Sequence, residues 1–357
     1  MERLIDTRGR RRTLSELSLP EMQTLFEELG QPKFRAGQVH EWLWKHLATE
    51  IEGMTNLPKD LRASLTEHTS VGNLVVDQEQ VSIDGTAKWA FRDADGRRFE
   101  TVMIPDEDRR TACISSQVGC AMGCSFCRTA TMGFLRNLTP GEILQQVAHV
   151  KRWLASTNQP PLSNIVFMGM GEPLNNLPAL LQACETLTSP KGMGMAPRRI
   201  TISTSGLVER IDELARTAPQ YHLAISLNSS NDSMRDEVMP VNRRHPIAEL
   251  LAAGDSWTAA AEWPVTYEYV LIGDVTCTEQ AAWELVDLLQ GRHCKLNLIP
   301  LNPAADIPLR SPSQAEIEAF ERIVHGAGLL VFRRKPKGRD ILAACGQLAR
   351  KKAEQEA

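Results

Sequence analysis

No apolar run in these 357 residues is long enough to span a bilayer, which argues against a helical membrane protein. The opening Met1-Glu-Arg-Leu-Ile-Asp-Thr-Arg-Gly-Arg-Arg-Arg12 has charge but no apolar segment, so it does not read as a secretory signal. Strong net charge is missing too. The chain carries 40 Lys and Arg against 44 Asp and Glu, a balance of −4 that by itself names no nucleic-acid partner. There is no short internal repeat and no low-complexity stretch. Eight cysteines, three of them in a tight cluster, without a secretory signal favour reduced thiols or metal ligands over a disulfide scaffold. The expected protein is cytoplasmic and free of membranes. At 42% hydrophobic content it can bury one large core and a smaller accessory unit.

The pattern changes along the chain. Up to about Thr69, Leu17, Leu25, Leu29, Val39, Trp42, Leu43 and Leu47 recur at helical spacing, broken by the turn-like Gly30-Gln-Pro-Lys33. From Leu74 the period becomes two, with Asp84-Gly85 and Asp95-Gly96 as hairpin turns. After Thr111 strands and helices alternate. Strands are predicted at 111–117, 164–169, 199–204, 221–227, 265–271, 294–299 and 329–334, and amphipathic helices at 140–154, 177–187, 246–261, 279–290 and 313–327. Such alternation means α/β architecture with a parallel sheet covered by helices. Three parts are expected: a helical accessory domain (1–70), a β-meander linker (71–110) and a partial parallel (β/α) barrel (111–357). Polar motifs follow five predicted strands, and the carboxyl ends of parallel barrel strands converge on one ligand-binding face.

Cys120, Cys124 and Cys127 have the spacing C-x3-C-x2-C. Three thiolates this close suit three irons of a cubane cluster whose fourth iron stays open to a small molecule. A zinc site with a distant fourth ligand is the alternative, but the nearest downstream histidine, His149, lies well into the predicted helix 140–154, so local sequence offers no convincing fourth ligand. Basic runs at Arg8 to Arg12 and at Arg333, Arg334, Lys335, Lys337 and Arg339 are ordinary solvated surface unless something else points to RNA.

The run Cys120-Ala-Met-Gly-Cys-Ser-Phe-Cys127 resembles the signature of radical S-adenosylmethionine (radical SAM) enzymes, and Gly171-Glu172-Pro173 their second motif, whose carboxylate suits the cofactor's ammonium. A narrower resemblance covers almost the whole chain. Ser115-Ser-Gln-Val-Gly-Cys120, Arg136-Asn-Leu-Thr139, Met168-Gly-Met-Gly-Glu-Pro-Leu-Asn175, Ser203-Thr-Ser-Gly206, Asn297-Leu-Ile-Pro300 and Ala343-Ala-Cys-Gly-Gln-Leu348 are similar to the RNA adenine methyltransferases of the RlmN/Cfr type.

That resemblance implies a 4Fe–4S cluster on the three cysteines and two molecules of S-adenosylmethionine per turnover. Gly171, Glu172, Ser203, Ser226, Leu227, Asn228 and Asn302 would surround the cofactor. The equivalent of Cys345 accepts a methyl group from one cofactor molecule. A 5′-deoxyadenosyl radical from the second removes hydrogen from that methyl, and the resulting carbon radical adds to adenine. Glu100 matches the family's proton acceptor. Cys113 matches its resolving cysteine, which would form a Cys113–Cys345 disulfide and leave a methyl on the base. Read without the family, Cys113 is a buried strand residue, as are Cys184, Cys277 and Cys294, and Glu100 is a solvent-facing strand carboxylate.

The implied substrate is an adenine of 23S rRNA at the peptidyl-transferase centre, with tRNA as a further one. The methyl is expected on carbon 2, with carbon 8 the alternative within the class. A non-catalytic RNA-binding protein with a structural metal cluster is the alternative outside it. A flavodoxin or ferredoxin would donate electrons to a monomeric enzyme. Lys33-Phe-Arg-Ala-Gly-Gln-Val-His-Glu-Trp42 resembles the family's helix-hairpin-helix-like domain, although Trp42 and Trp44 fit a packed core equally well. Two departures stand out: Asn228 where many relatives have His, and Lys335-Pro-Lys-Gly-Arg-Asp340 in place of Lys-Thr-Arg-Gly-Asp.

Overall fold

The computed structural model describes residues 12–348 apart from 73, 94 and 304–306. Most of the basic run at 8–12 and the tail from Lys351 therefore lie outside the described residues. Three helices open the fold: α1 (Leu19–Glu28), α2 (Lys33–Trp44) and α3 (Lys59–His68). Ser18 and Glu21 start α1 as a capping box. Trp44 is buried in the core of this unit, while Trp42 donates through Nε1 to Asn56 Oδ1 (2.6 Å).

Next come β1 (Val75–Val81), β2 (Ala87–Arg92), β3 (Arg98–Asp106) and β4 (Arg109–Cys113), then a short ribbon of β5 (Gln117–Gly119) and β6 (Phe134–Asn137) flanking α4 (Arg128–Thr131). The remainder alternates: α5 (Pro140–Ser156), β7 (Asn164–Phe167), α6 (Leu177–Thr188), β8 (Ile200–Thr204), α7 (Val208–Thr217), β9 (His222–Ser226), α8 (Asp232–Val238), α9 (Ile247–Ala261), β10 (Val265–Leu271), α10 (Glu279–Leu289), β11 (Cys294–Pro300), α11 (Gln314–Gly326) and β12 (Val331–Arg333). The hairpin turns stand at the expected glycines, Gly85 and Gly96, both at positive φ.

One ten-stranded sheet runs β1-β2-β3-β4-β7-β8-β9-β10-β11-β12. Its first four strands are antiparallel, and β4 then pairs in parallel with β7. From β4 to β12 the pairing is parallel throughout. The meander thus extends the barrel sheet itself, because β4 is its last strand and the barrel's first. The predicted strand 111–117 breaks after Cys113, where the chain leaves the sheet to form β5. Helices α7 and α8 escape sequence periodicity because each buries only two side chains, Ile211 with Leu214 and Arg235 with Val238. By contrast α5 buries Ile143, Val147, Val150 and Leu154 at full helical spacing. Among the described residues no helix is long and apolar enough to cross a membrane.

The helical unit is docked on α5. Leu14 and Ser15 donate backbone bonds to Ser70 and Val71, and Gln145 of α5 donates to Ser15 Oγ (2.9 Å). Gly141 fits under Ser15 so closely that a Cβ there would lie 2.7 Å from its backbone. The Arg136-to-Thr139 motif is architectural. Thr139 caps α5 with Glu142, and Arg136 bridges Glu142 (2.7 Å) and Asp93. Gly119 carries a sharper constraint, with φ +73° and a would-be Cβ 1.8 Å from Gly133 O. Gly119→Ala should therefore cost ~3 kcal/mol or more, read as a shifted denaturant midpoint.

Candidate active site

The carboxyl ends of the parallel strands surround one pocket. Its wall takes Met168, Gly171 and Glu172 after β7, Ser203 to Ser205 from β8, Ser226 and Asn228 from β9, and Glu268 and Val270 of β10. Ile299 to Asn302 from β11, Arg334 after β12 and Cys345 complete it, with Cys120, Cys124 and Cys127 along one side.

Two sequence motifs lock together to form the floor. Ser115 Oγ donates to Glu100 O (2.6 Å) and accepts from Met170 N (2.8 Å). Gln117 Oε1 accepts from Glu172 N (2.8 Å), and Asn176 Nδ2 donates to Ser116 O and Leu138 O. Gly169 and Gly171 permit that approach, since a Cβ would meet Ile114 backbone at 2.7 Å and Gln117 Cβ at 2.5 Å. Gln146, fully buried on α5, clasps Ser115 from both ends: its Oε1 accepts from Ser115 N (2.8 Å) and its Nε2 donates to Ser115 O (3.0 Å). A lone glutamine on a helix gave no sequence signal for this role.

Glu172 is 3% exposed, and its carboxylate accepts from Ser205 N (2.7 Å) and Leu174 N (3.1 Å). Burial pushes its pKa up, against the pull of those backbone bonds. A buried carboxylate so placed is matched by a cationic ligand. Opposite, the cysteine thiols are unbridged. Burial pushes Cys120 up to about 12 and raises Cys124 as well, with the neighbouring cysteines adding to the effect in both. Thiols in that state ionise when a metal replaces the proton. Among the described residues no three His, Cys, Asp or Glu converge on a single-ion site. A polynuclear cluster, whose three thiolates each bind a different iron, does not require one. The donor set fits such a cluster, and Glu172 lines the same pocket with a buried carboxylate that suits a cationic group.

Three of the other predicted cofactor residues are also held by bonds or packing within the protein. Leu227 is fully buried in the core and offers the pocket no side chain. Asn228 sits at φ +56°, a left-handed backbone that Asn tolerates. Its amide is engaged on both ends, Oδ1 accepting from Val270 N (3.0 Å) and Nδ2 donating to Met239 Sδ (3.2 Å). Asn302 Nδ2 donates to Cys345 O (3.2 Å) while its Oδ1 accepts from Arg339 Nε (3.1 Å). Ser203 and Ser226 stand half-buried on the pocket wall.

Behind β9 lies a residue that sequence reading missed. Arg235 is fully buried, donating to the carbonyls of Leu227, Ser205, Ser226 and His245 and to Asn242 Oδ1. Burial lowers it to about 10, with Cys124 among the groups pulling the other way. It ties the ends of β8 and β9 together beneath the pocket.

The segment carrying Cys345 is pinned from several sides. Arg128 N donates to Gly346 O (2.9 Å) and Thr129 Oγ1 to Leu348 O (2.6 Å), so α4, which follows Cys127 directly, fixes it beside the cysteine triplet. Gln347 Nε2 donates to Pro303 O (2.9 Å). The β1–β2 turn grips the same segment, with Ser82 donating to Asp340 Oδ1 (2.6 Å) and Gly338 N to Asp84 Oδ2 (2.9 Å). These bonds anchor Gly338 and Asp340 within the Lys335-to-Asp340 stretch. The basic run splits: Arg333 pairs with Glu321 (3.4 Å), Lys335 is exposed, Arg339 is exposed but reaches Asn302 through Nε (3.1 Å), and Arg334 turns into the pocket.

Strand register places Cys113 opposite Val102, and Val102 opposite Lys88. Residues two apart on a strand share a face, so Glu100, Lys88 and Cys113 lie on one face of the sheet. Glu100 is buried rather than solvent-facing, in an ion pair with Lys88 (3.1 Å). Lys88 Nζ also donates to Leu342 O (3.3 Å), tying that face to the Cys345 segment. Burial first, and then Cys345, pushes the Cys113 thiol up to about 12, whereas Arg334 opposes them. Cys113 and Cys345 are near enough to interact and are not bonded. Of the remaining cysteines, Cys184 is buried on α6, Cys277 is buried ahead of α10, and Cys294 is half-buried at the start of β11.

A parallel partial barrel with this three-cysteine loop after its first strand and a Gly-Glu-Pro turn after its second defines a radical SAM enzyme, holding a 4Fe–4S cluster and S-adenosylmethionine. The family model for the radical SAM superfamily matches residues 114–289, and that for the ribosomal RNA large subunit methyltransferase N-terminal domain matches residues 13–71. A probable dual-specificity RNA methyltransferase RlmN from Rhodopirellula baltica is 45% identical over 351 residues, covering 98% of this chain and 94% of that one. The dual-specificity RNA methyltransferase RlmN of an Anaeromyxobacter strain is 44% identical over 340 residues, covering 94% and 90%. A crystal structure of a radical SAM methyltransferase from Sphaerobacter thermophilus superposes with TM-score 0.91 at 44% identity, covering 94% of this chain and 98% of that one. The chain belongs to the RlmN family of radical SAM RNA methyltransferases.

Proposed function

We propose that the protein methylates carbon 2 of an adenine in 23S rRNA, at the peptidyl-transferase centre, and an adenine in tRNA. The observation that carries this reading is the docking of the Cys345 segment on α4, which puts Cys345, an exposed residue, on the lining of the same pocket as Glu172 and the three clustered cysteines, with Cys113 nearby. Carbon 2 of adenine is electron-poor, so an ordinary attack on a methylsulfonium is closed to it. Bound together, the cluster and S-adenosylmethionine supply a methyl group and a route to hydrogen abstraction.

In this reading Cys120, Cys124 and Cys127 hold the cluster, and Glu172 holds the cofactor's ammonium with Gly171, Ser203 and Ser226 around it. Asn302 acts by holding the Cys345 backbone, and Asn228 and Leu227 act by shaping the wall. Cys345 takes up the methyl and carries its carbon to the base. Glu100 then removes the proton from the methylated ring carbon, its carboxylate oriented by Lys88. Cys113 attacks the Cys345 sulfur, forming a disulfide as the sulfur–carbon bond breaks. A low-potential flavodoxin or ferredoxin is the electron donor we propose, and the enzyme works as a monomer. The helical unit, 1–70, serves as an accessory domain joined through the 71–110 meander to the 111–357 barrel. The exposed Lys335 and Arg339 are available to RNA phosphates.

The test is mass spectrometry of RNA modified by the anaerobic enzyme, against synthetic 2-methyl- and 8-methyladenosine. The expected product is 2-methyladenosine, and Cys345→Ala should abolish it while leaving the cluster's absorbance intact. Sole formation of 8-methyladenosine would overturn the carbon assignment. Product from Cys345→Ala would overturn the thiol route.

A further inference from the structure

Arg334 does not behave as one of a surface run of cations. Its backbone N donates to Leu298 O (2.9 Å), which continues the β11–β12 pairing by one residue. The guanidinium then turns inward to Glu268 Oε1 (3.0 Å) and reaches Met168 Sδ (3.5 Å). Glu268 is 4% exposed on β10 and faces Asn297 of β11 in the strand register, from which it accepts a second bond (3.0 Å). Its other oxygen, Oε2, is buried with no hydrogen-bond partner among the described residues. The carboxylate is thus fixed by its neighbours on the sheet, and the arginine it holds is aimed across the pocket. Both residues line that pocket together with Cys345.

Arg334 and Glu268 share the pocket lining with Cys345; the Arg334 charge favours the Cys345 thiolate, and the Glu268 charge opposes it. The groups facing Cys113 are Cys345 and, again, Arg334. One guanidinium therefore acts on both sulfurs. Thiolates, not thiols, are the nucleophiles of sulfur chemistry, and a neighbouring cation is the usual means of forming one where burial opposes it. Arginine suits the place because its planar fork can bond a carboxylate and a second acceptor together, which a lysine point charge does less well.

We propose that Arg334, aimed by Glu268, is the residue that holds the Cys345 thiolate for methyl uptake and the Cys113 thiolate for product release. The inference rests on the reading of these two cysteines as the methyl carrier and its resolving partner. In the first step the Cys345 proton passes to solvent, and the thiolate electron pair forms a bond to the methyl carbon. The methyl–sulfonium bond breaks, leaving its pair on the cofactor's sulfur. In the second, the Cys113 thiolate bonds to the Cys345 sulfur. The sulfur–carbon bond breaks toward the base-bound carbon, which takes up a proton to become the methyl group. The Cys113 thiolate sulfur and the Cys345 thioether sulfur become a disulfide, a two-electron oxidation matched by reduction of the carbon, and a dithiol reductant restores the pair.

Alkylation tests the thiol apart from turnover. Holoenzyme free of S-adenosylmethionine, with Cys345 shown by peptide mass to be an unmodified thiol, is treated anaerobically with iodoacetamide. This reagent is neutral, so a change of local charge does not alter its approach. Labelling of the Cys345 peptide is timed across pH. Arg334→Gln should slow labelling at neutral pH at least tenfold and move the midpoint of the pH profile upward, with Arg334→Lys between it and the parent. Glu268→Gln keeps an acceptor for Arg334 but removes the opposing charge, and should speed labelling. Labelling of Arg334→Gln within twofold of the parent at every pH overturns the proposal. Should that variant fail to retain its cluster, unchanged or slower labelling of Glu268→Gln overturns it independently. Failure of the parent protein to methylate Cys345 would sink the earlier reading while leaving these labelling rates meaningful.

Discussion

Replacing Cys113 with alanine is expected to leave enzyme and RNA covalently joined through Cys345, in a species that survives denaturation. The buried Cys113 thiol shares a sheet face with Glu100 and lies within electrostatic range of Cys345, yet it does not line the cofactor pocket. Methyl uptake and attack on the base therefore remain possible in its absence, and only release is lost. Multiple turnover should be lost, because each enzyme stops at the covalent adduct, while about one RNA accumulates per enzyme. A shifted band on a denaturing gel, removed by nuclease and absent from a Cys113→Ala, Cys345→Ala double variant, is the measurement. A Cys113→Ala enzyme that turns over at the parental rate with no adduct would remove Cys113 from the mechanism. Folding should be little disturbed, since the change trims one buried sulfur from a strand held on both sides.

Glu172→Gln is expected to weaken S-adenosylmethionine binding by roughly a hundredfold, the equivalent of ~3 kcal/mol for a charge-assisted hydrogen bond in a buried site. The neutral amide retains the shape but loses the charge that faces the ammonium. Its NH2 must also point at Ser205 N or Leu174 N, both of which now donate to the carboxylate. Equilibrium binding to the cluster-loaded protein reads the effect, and the shift in melting temperature with added cofactor reads it a second way. An unchanged dissociation constant would mean that Glu172 only braces the turn. Gln117 and Ser115 hold that turn through backbone groups, so the loop itself should survive the substitution.

The parallel strands were legible because each is a short apolar run ending in a polar motif, and most lie within two or three residues of the predicted bounds. The exception was the first, since nothing in Thr111-Ala-Cys-Ile-Ser-Ser-Gln117 marks the point where the chain leaves the sheet. That break is a tertiary decision, made by Ser115 and Gln117 engaging the loop after β7. Helix α8 was illegible for a related reason: its main buried residue is an arginine, which periodicity counts as surface. Only the five acceptors arranged around Arg235 make its burial tolerable. Glu100 misled in the same way, reading as exposed until its pairing with Lys88 on one sheet face is known.

By itself the sequence determined the class of chemistry. Three cysteines within eight residues, a Gly-Glu-Pro turn and a cysteine framed by Ala-Ala and Gly-Gln are local patterns, fixed by covalent spacing and therefore visible without a fold. Which side chains cooperate was decided only in three dimensions. Cys113, Glu268, Arg334 and Cys345 come from different strands and a distant loop, and sheet register with the grip of α4 on the Cys345 segment brings them together. The same packing turned one arginine of a basic run inward to a buried carboxylate and left its neighbours outside. Charge along a chain has no direction until strand pairing gives it one.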